Sequence, residues 1–383
     1  MTSESGPATR QARFEALDGL RGVCALMVVL LHLPLSGWLG EVRLFRHSFL
    51  FVDFFFVLSG FVIAHSYAGR LGSMGQVGRF ALARWRRVYP LHLAMLLLFV
   101  AFETATLLAK GPGAAFIGGN SPNALLANLF LVHAFGTVPS LGWNYPSWSI
   151  SAEFGAYLLF AFGSLLFGRR LLPVLLGLVV LAALPALAHF VGHVDTTVAF
   201  GWLRCLAGFS CGALLRLASR PPAAGPASAM ARGTMLEAAA VLAVVGFVIA
   251  AGATPLSLAA PLLFTLVVAV FAREEGAVSR LLKTPECAFL GLVSYSIYMT
   301  HAFVISRLVN VGTVLEARTG LDLVETLPEG AKAFSALASP LALTAALTAT
   351  IIFSAFTYRF VEVPGQRMRF SARRSMQAGA AAL

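Results

Sequence analysis

Among the ionisable residues inside apolar stretches of the chain, eight stand out: Arg21, His32, Asp53, His65, Glu103, Glu153, Arg204 and His301. An ionisable side chain in hydrocarbon is costly and is kept where it faces a cavity or a partner. Arg21 and His32 are eleven residues apart in LDGLRGVCALMVVLLH. At ~100° per residue they share one helix face, about 16 Å apart along the axis. Neutral imidazole serves as a base or nucleophile near neutral pH, and Arg is a permanent anion binder. In RFALARWRRVYP, Arg84 and Arg87 share a helix face, with Arg86 between them. Forked guanidinium donors suit phosphate oxygens, and equally suit membrane anchoring beside Trp85. In PSWSISAEFGAYL, Ser149 and Glu153 lie at i and i+4. A buried carboxylate needs a partner or a proton. Glu153 can therefore orient a histidine, bind an acceptor hydroxyl or close a structural polar cluster. Asp53, in FVDFFFVLSGF, can orient His32, bind an acceptor, or simply favour a helix N-terminus. Ser294, Tyr298 and His301 form one polar stripe in LGLVSYSIYMTH, suited to helix–helix hydrogen bonding or to lining a cavity. His65, Glu103 and Arg204 have no partner legible in the sequence.

These residues sit in a strongly apolar chain. Of 383 residues, 58% are hydrophobic and 12% charged, with a mean hydropathy of +0.82. Soluble domains carry roughly 25% charged residues. The composition excludes a disordered chain, a disulfide scaffold and an ordinary soluble enzyme. It predicts an all-α fold, a polytopic membrane bundle of about ten transmembrane helices. The expected spans are 16–36, 49–68, 88–109, 147–167, 171–191, 198–217, 235–253, 256–272, 287–310 and 335–360. The stretch 122–136 is too short and is expected to be re-entrant or interfacial. The net charge of +11 tests this layout. With the N-terminus inside, twenty of the 28 basic residues fall on the cytoplasmic side and six on the other. Both termini are then cytoplasmic, as expected for a multi-pass protein of a bacterial inner membrane with no cleaved signal. The expected divisions are a tail over 1–15, a membrane domain over 16–362 and a basic, Ala-rich tail over 363–383. The four cysteines read as small buried residues, and no metal-ligand spacing is present.

Six segments in order, over about residues 14–370, carry a resemblance: LDGLRGVCALMVVLLH, VDFFFVLSGF, RWRRVYPLH, PSWSISAEFGAYL, LGLVSYSIYMTH and FTYRFVEVPGQ. Together they resemble the acyltransferase-3 family of bacterial integral-membrane O-acyltransferases. That family's Arg-x10-His pattern falls on Arg21 and His32, and its Arg-x-x-Arg on Arg84 and Arg87. The resemblance implies ten spans with cytoplasmic termini. It implies transfer of an acyl group, acetyl first and succinyl as the alternative, from acyl-CoA (acetyl-CoA or succinyl-CoA) to a hydroxyl. The acceptor is expected to be a cell-surface carbohydrate such as exopolysaccharide or O-antigen, free or lipid-linked; some relatives modify antibiotics. No extracytoplasmic hydrolase-like domain, metal cofactor or nucleic-acid partner is expected. Arg21, Arg84, Arg86 and Arg87 then hold the CoA donor. His32 acts as general base or accepts the acyl group itself, and Asp53 or Glu153 sets its tautomer. Ser149, Tyr298 and His301 are the weaker candidates for substrate contact. The competing class is a transporter or flippase of a lipid-linked glycan, which would consume no thioester.

Overall fold

The computed structural model describes residues 14–219, 229–328 and 330–368. The apolar runs fold as helices because backbone groups in hydrocarbon must be hydrogen-bonded within their own segment. In chain order these are α1 (Glu15–His32), α2 (Phe51–Tyr67), α3 (Met74–Lys110), α4 (Pro122–Leu129) and α5 (Trp148–Phe190). They continue as α6 (Gly201–Ala218), α7 (Ala229–Ala251), α8 (Ala260–Phe271), α9 (Pro285–Thr319) and α10 (Ser339–Thr357). Six helices among the described residues are long and apolar enough to cross a membrane. The chain is a helical membrane protein. The tails placed at 1–15 and 363–383 lie largely outside the described residues, as do Arg10, Arg13, Arg220, Arg369, Arg373 and Arg374.

Several helices depart from the expected spans. α3 begins at Met74, capped by Ser73, rather than near residue 88. Arg84, Arg86 and Arg87 therefore ride on the same continuous helix as the span itself. The expected spans 147–167 and 171–191 are the two arms of α5, which meet at a kink at Gly168 (φ 61°, ψ −176°). That backbone region is open to glycine and strained for other residues. The stretch 122–136 folds only as the eight-residue α4, about 12 Å long, followed by irregular chain. The last apolar run ends in one π-helical turn, Tyr358–Glu362. A small hairpin was not anticipated: β1 (Val324–Thr326) pairs antiparallel with β2 (Lys332–Phe334). Three-residue strands in a connecting loop leave too little alternation to read.

Glycines decide how closely the helices pack. Lipid offers no hydrophobic drive between helices, so small residues that admit close backbone contact hold them together. A Cβ on Gly60 would come 1.9 Å from the Phe209 carbonyl oxygen, and one on Gly212 would come 1.8 Å from that of Val57. These contacts lock α2 to α6. A Cβ on Gly22 would meet the Gly291 nitrogen at 2.6 Å, so α1 lies directly on α9. The two run in the same direction, since Gly22 faces Gly291 while His32 meets His301. Gly212→Val is expected to destabilise the bundle by about 1–3 kcal/mol or more. Gly246→Val, where nothing lies within 4 Å, should be tolerated. Thermal unfolding of the purified variants checks this; equal melting temperatures would contradict it.

Candidate active site

An open cavity with about 890 Å³ of empty space lies between α1, α2, α3, α5 and α9. Along α2 its wall runs from Ile63 to Val52, about 16 Å of helix. One end carries Arg21, Arg84 and Arg87, and the other closes on Ser149, Phe55 and Tyr298. Glu153 faces the same space and meets the Ser59 and Tyr157 hydroxyls. Seven residues singled out in the sequence thus share one cavity, Ser294 among them, while Arg86 is not part of its lining.

The three arginines are held differently. Arg21 donates from Nε to Ser294 Oγ (2.8 Å) and from Nη2 to the Gly291 carbonyl (2.9 Å), with Asp18 at 3.4 Å. Arg84 lies over the Tyr67 ring, and its buried Nε has no hydrogen-bond partner. Arg87 is ion-paired with Glu362, a residue the sequence reading passed over. The Glu362 carboxylate is 1% exposed and also accepts from Ser296 Oγ (2.8 Å) and Gln366 Nε2 (3.1 Å). The π-turn carries this carboxylate against α3, where Gly365 abuts Pro90. An acidic residue closing the last apolar run, in YRFVEVP, was the available signal.

His32 ends α1. Its Nδ1 is 2.9 Å from the Val28 carbonyl, an oxygen that can only accept. The ring hydrogen therefore sits on Nδ1, and Nε2 carries the free lone pair. His301, fully buried on α9, places Nε2 at 3.1 Å from the same His32 nitrogen. The Tyr145 ring lies 5.0 Å from that of His32. Asn144 anchors this turn by donating to the Met299 carbonyl (3.0 Å). Beyond His32 the chain is pinned by the hairpin, with Phe334 N donating to the Pro34 carbonyl (2.8 Å) and Ser36 N to that of Phe334 (3.0 Å). The hairpin thus fixes the end of α1 that presents the imidazole.

The carboxylates correct one expectation. Neither Asp53 nor Glu153 sets the His32 tautomer; the Val28 carbonyl does. Asp53 is fully buried and held by Arg204, whose Nε lies 3.1 and 3.2 Å from its two oxygens and whose Nη2 lies 2.7 Å from Oδ2. Arg204 Nη2 also reaches the Phe49 carbonyl (2.7 Å). This pair ties α6 to α2 and commits the Asp53 carboxylate to Arg204. The remaining isolated polar residues are also structural. His65 accepts from Arg216 Nε (2.9 Å), and Glu103 accepts from Phe116 N (2.9 Å) and Asn120 Nδ2 (2.7 Å). A second buried cluster, His92, His133, Asn128 and Ser147, seats α4 against α3 and the start of α5.

Residues 14–359 match the family model of an acyltransferase domain, acyltransferase 3. "Protein 2 in picA locus" of Rhizobium radiobacter is 45% identical over 92 residues, 24% of this chain and 46% of that protein. Acyltransferase MdmB of Streptomyces mycarofaciens is 31% identical over 162 residues, 39% of each chain. BcsY of Komagataeibacter xylinus, described as a membrane-bound transacylase, is 28% identical over 294 residues, 74% of this chain and 71% of that protein. The chain thus spans less than half the length of the first two of these relatives. No solved structure matches it.

Proposed function

Because the chain belongs to the acyltransferase-3 family, we propose that this membrane acyltransferase moves an acetyl group from acetyl-CoA to a hydroxyl of a cell-surface carbohydrate, free or lipid-linked. The observation that carries this reading is the cavity. It gathers Arg21, Arg84 and Arg87 at one end and stops one helical turn short of a histidine pair at the other. In this reading the described residues cross the membrane ten times, with the two arms of α5 taken as separate crossings and α4 as none. The end bearing Arg84 and Arg87 then faces the cytoplasm of a bacterial inner membrane, where acyl-CoA is made.

In this reading the CoA phosphates meet Arg84 and Arg87, and Arg21 flanks the arm as it runs inward. Arg84 contributes more, because Arg87 already shares its charge with Glu362. At the far end, His32 Nε2 takes the proton of the acceptor hydroxyl. The oxygen attacks the thioester carbon, the carbon–sulfur bond breaks, and the proton held by His32 passes through water to the leaving CoA thiolate, which restores the neutral imidazole. Arg84→Ala is expected to raise the KM for acetyl-CoA about tenfold or more, and Arg87→Ala by less. Both losses should shrink as salt screens the phosphate contacts. Titration of the donor at low and high ionic strength checks this; unchanged KM in both variants would make these arginines membrane anchors only.

The choice of acetyl over succinyl rests on the deep wall. Val52, Phe55, Phe56, Ser149, Ile150 and Tyr298 form it without a cation. The nearby guanidinium of Arg204 is already committed to Asp53. A succinyl carboxylate would be desolvated there without a partner, a large penalty. Acetyl-CoA is therefore expected to exceed succinyl-CoA in kcat/KM by about tenfold or more; equal use of both donors would contradict this. The direct test of the function is free-thiol release from acetyl-CoA by the purified protein, together with mass spectrometry of the surface glycan. A flippase would move glycan and release no thiol.

A further inference from the structure

The donor cavity and His32 do not meet. The lining ends at Phe55, Ser149 and Tyr298 and includes neither histidine. His301 follows Tyr298 by one turn on α9, with the two rings 5.9 Å apart. The Tyr298 ring packs edge-on against Phe55, at 5.8 Å. Tyr298 Oη lies 2.8 Å from Ser149 Oγ, which in turn lies 3.1 Å from the Pro146 carbonyl. A carbonyl only accepts, so the serine hydrogen goes to Pro146 and the tyrosine donates to the serine. Pro146 belongs to the same turn as Tyr145, whose ring abuts His32. The Tyr298 ring, fastened by one hydrogen bond to another helix, thus lines the end of the cavity on one side and packs against His301 on the other.

We propose that Tyr298 is a gate and Ser149 its latch. Closed, the ring keeps a bound thioester, and any water beside it, away from His32 Nε2. Breaking the Tyr298–Ser149 hydrogen bond lets the ring swing and the thioester reach the histidine. The function of the pair is to hold donor consumption until an acceptor is in place. This inference rests on the acyl-transfer reading above. It assigns the two residues a role other than holding substrate through their hydroxyls.

The uncoupled reaction gives the test. Without an acceptor, water activated by His32 can attack the thioester carbon; the carbon–sulfur bond breaks, acetate forms and CoA thiol is released. Tyr298→Phe keeps the ring and its packing but removes the latch. Ser149→Ala removes the same latch from the other helix. Each is expected to raise acceptor-free thiol release from acetyl-CoA about three- to tenfold. The double variant should match the singles, because both act on one bond. Adding His32→Gln to Tyr298→Phe should abolish the leak. Tyr298→Trp should wedge the gate, lowering transfer about tenfold or more without any rise in acceptor-free thiol release. Wild-type rates of acceptor-free release in Tyr298→Phe and Ser149→Ala would overturn the gate. So would a fall in transfer without any leak, which is what a substrate-binding hydroxyl predicts. In both cases wild-type protein still consumes acetyl-CoA. Wild-type protein that neither binds nor consumes acetyl-CoA would overturn the acyl-transfer reading, and the gate with it.

Discussion

His32→Gln is expected to abolish acyl transfer while leaving the protein folded and able to bind CoA. Loss of a general base costs about 10²–10⁴ in rate. The substitution is close in size and sits at the last residue of α1, whose exit is already pinned by the hairpin. The donor cavity does not include this residue, so the KM for acetyl-CoA should move little. Glutamine can still reach the Val28 carbonyl through its amide but has no basic nitrogen to offer in place of Nε2. His301→Gln should be milder, because Val28 alone still holds the His32 tautomer. Rates, with melting temperature measured alongside, separate these cases; substantial turnover by His32→Gln would remove the imidazole from the chemistry.

The second large effect concerns stability. Asp53→Ala leaves the Arg204 guanidinium, 1% exposed, without its carboxylate. Breaking a buried pair from one side costs about 3–5 kcal/mol, whereas replacing both partners by apolar residues is often nearly neutral. Asp53→Ala and Arg204→Ala are each expected to lower the melting temperature sharply or to prevent folding. The double variant Asp53→Leu/Arg204→Met should recover much of the loss, and with it activity, since neither residue meets His32. If Asp53 instead served catalysis, the double variant would be folded and inactive. Thermal unfolding and acetyl transfer measured on the same preparations decide between the two.

Residues on one helix were legible because a straight helix obeys a fixed angle per residue. That arithmetic aligns Arg21 with His32, Arg84 with Arg87, and Ser294 with Tyr298 and His301. What each of these meets across the bundle was not legible. Ser294 and His301 reach α1 from about 270 residues away in sequence. Asp53 illustrates the failure most clearly. Its place in an apolar run suggested chemistry, but a carboxylate in hydrocarbon is satisfied equally by a buried arginine, and the sequence did not pair it with Arg204. Glu362 failed in the opposite sense, since it lies just beyond the last expected span, 335–360, and so was passed over. Only the π-turn shows that the carboxylate is folded inward, onto Arg87. The kink at Gly168 was hidden because its sequence, LLFGRRLLP, reads equally as a short loop between two spans.

The most direct test of the central claim uses the full protein in lipid nanodiscs with radiolabelled acetyl-CoA and a surface-glycan extract. The label is expected to move to the glycan as an alkali-labile ester, with one CoA thiol released per ester formed and no transfer by His32→Gln. Folded wild-type protein that leaves the thioester intact, or that transfers label as fast without His32, would contradict it.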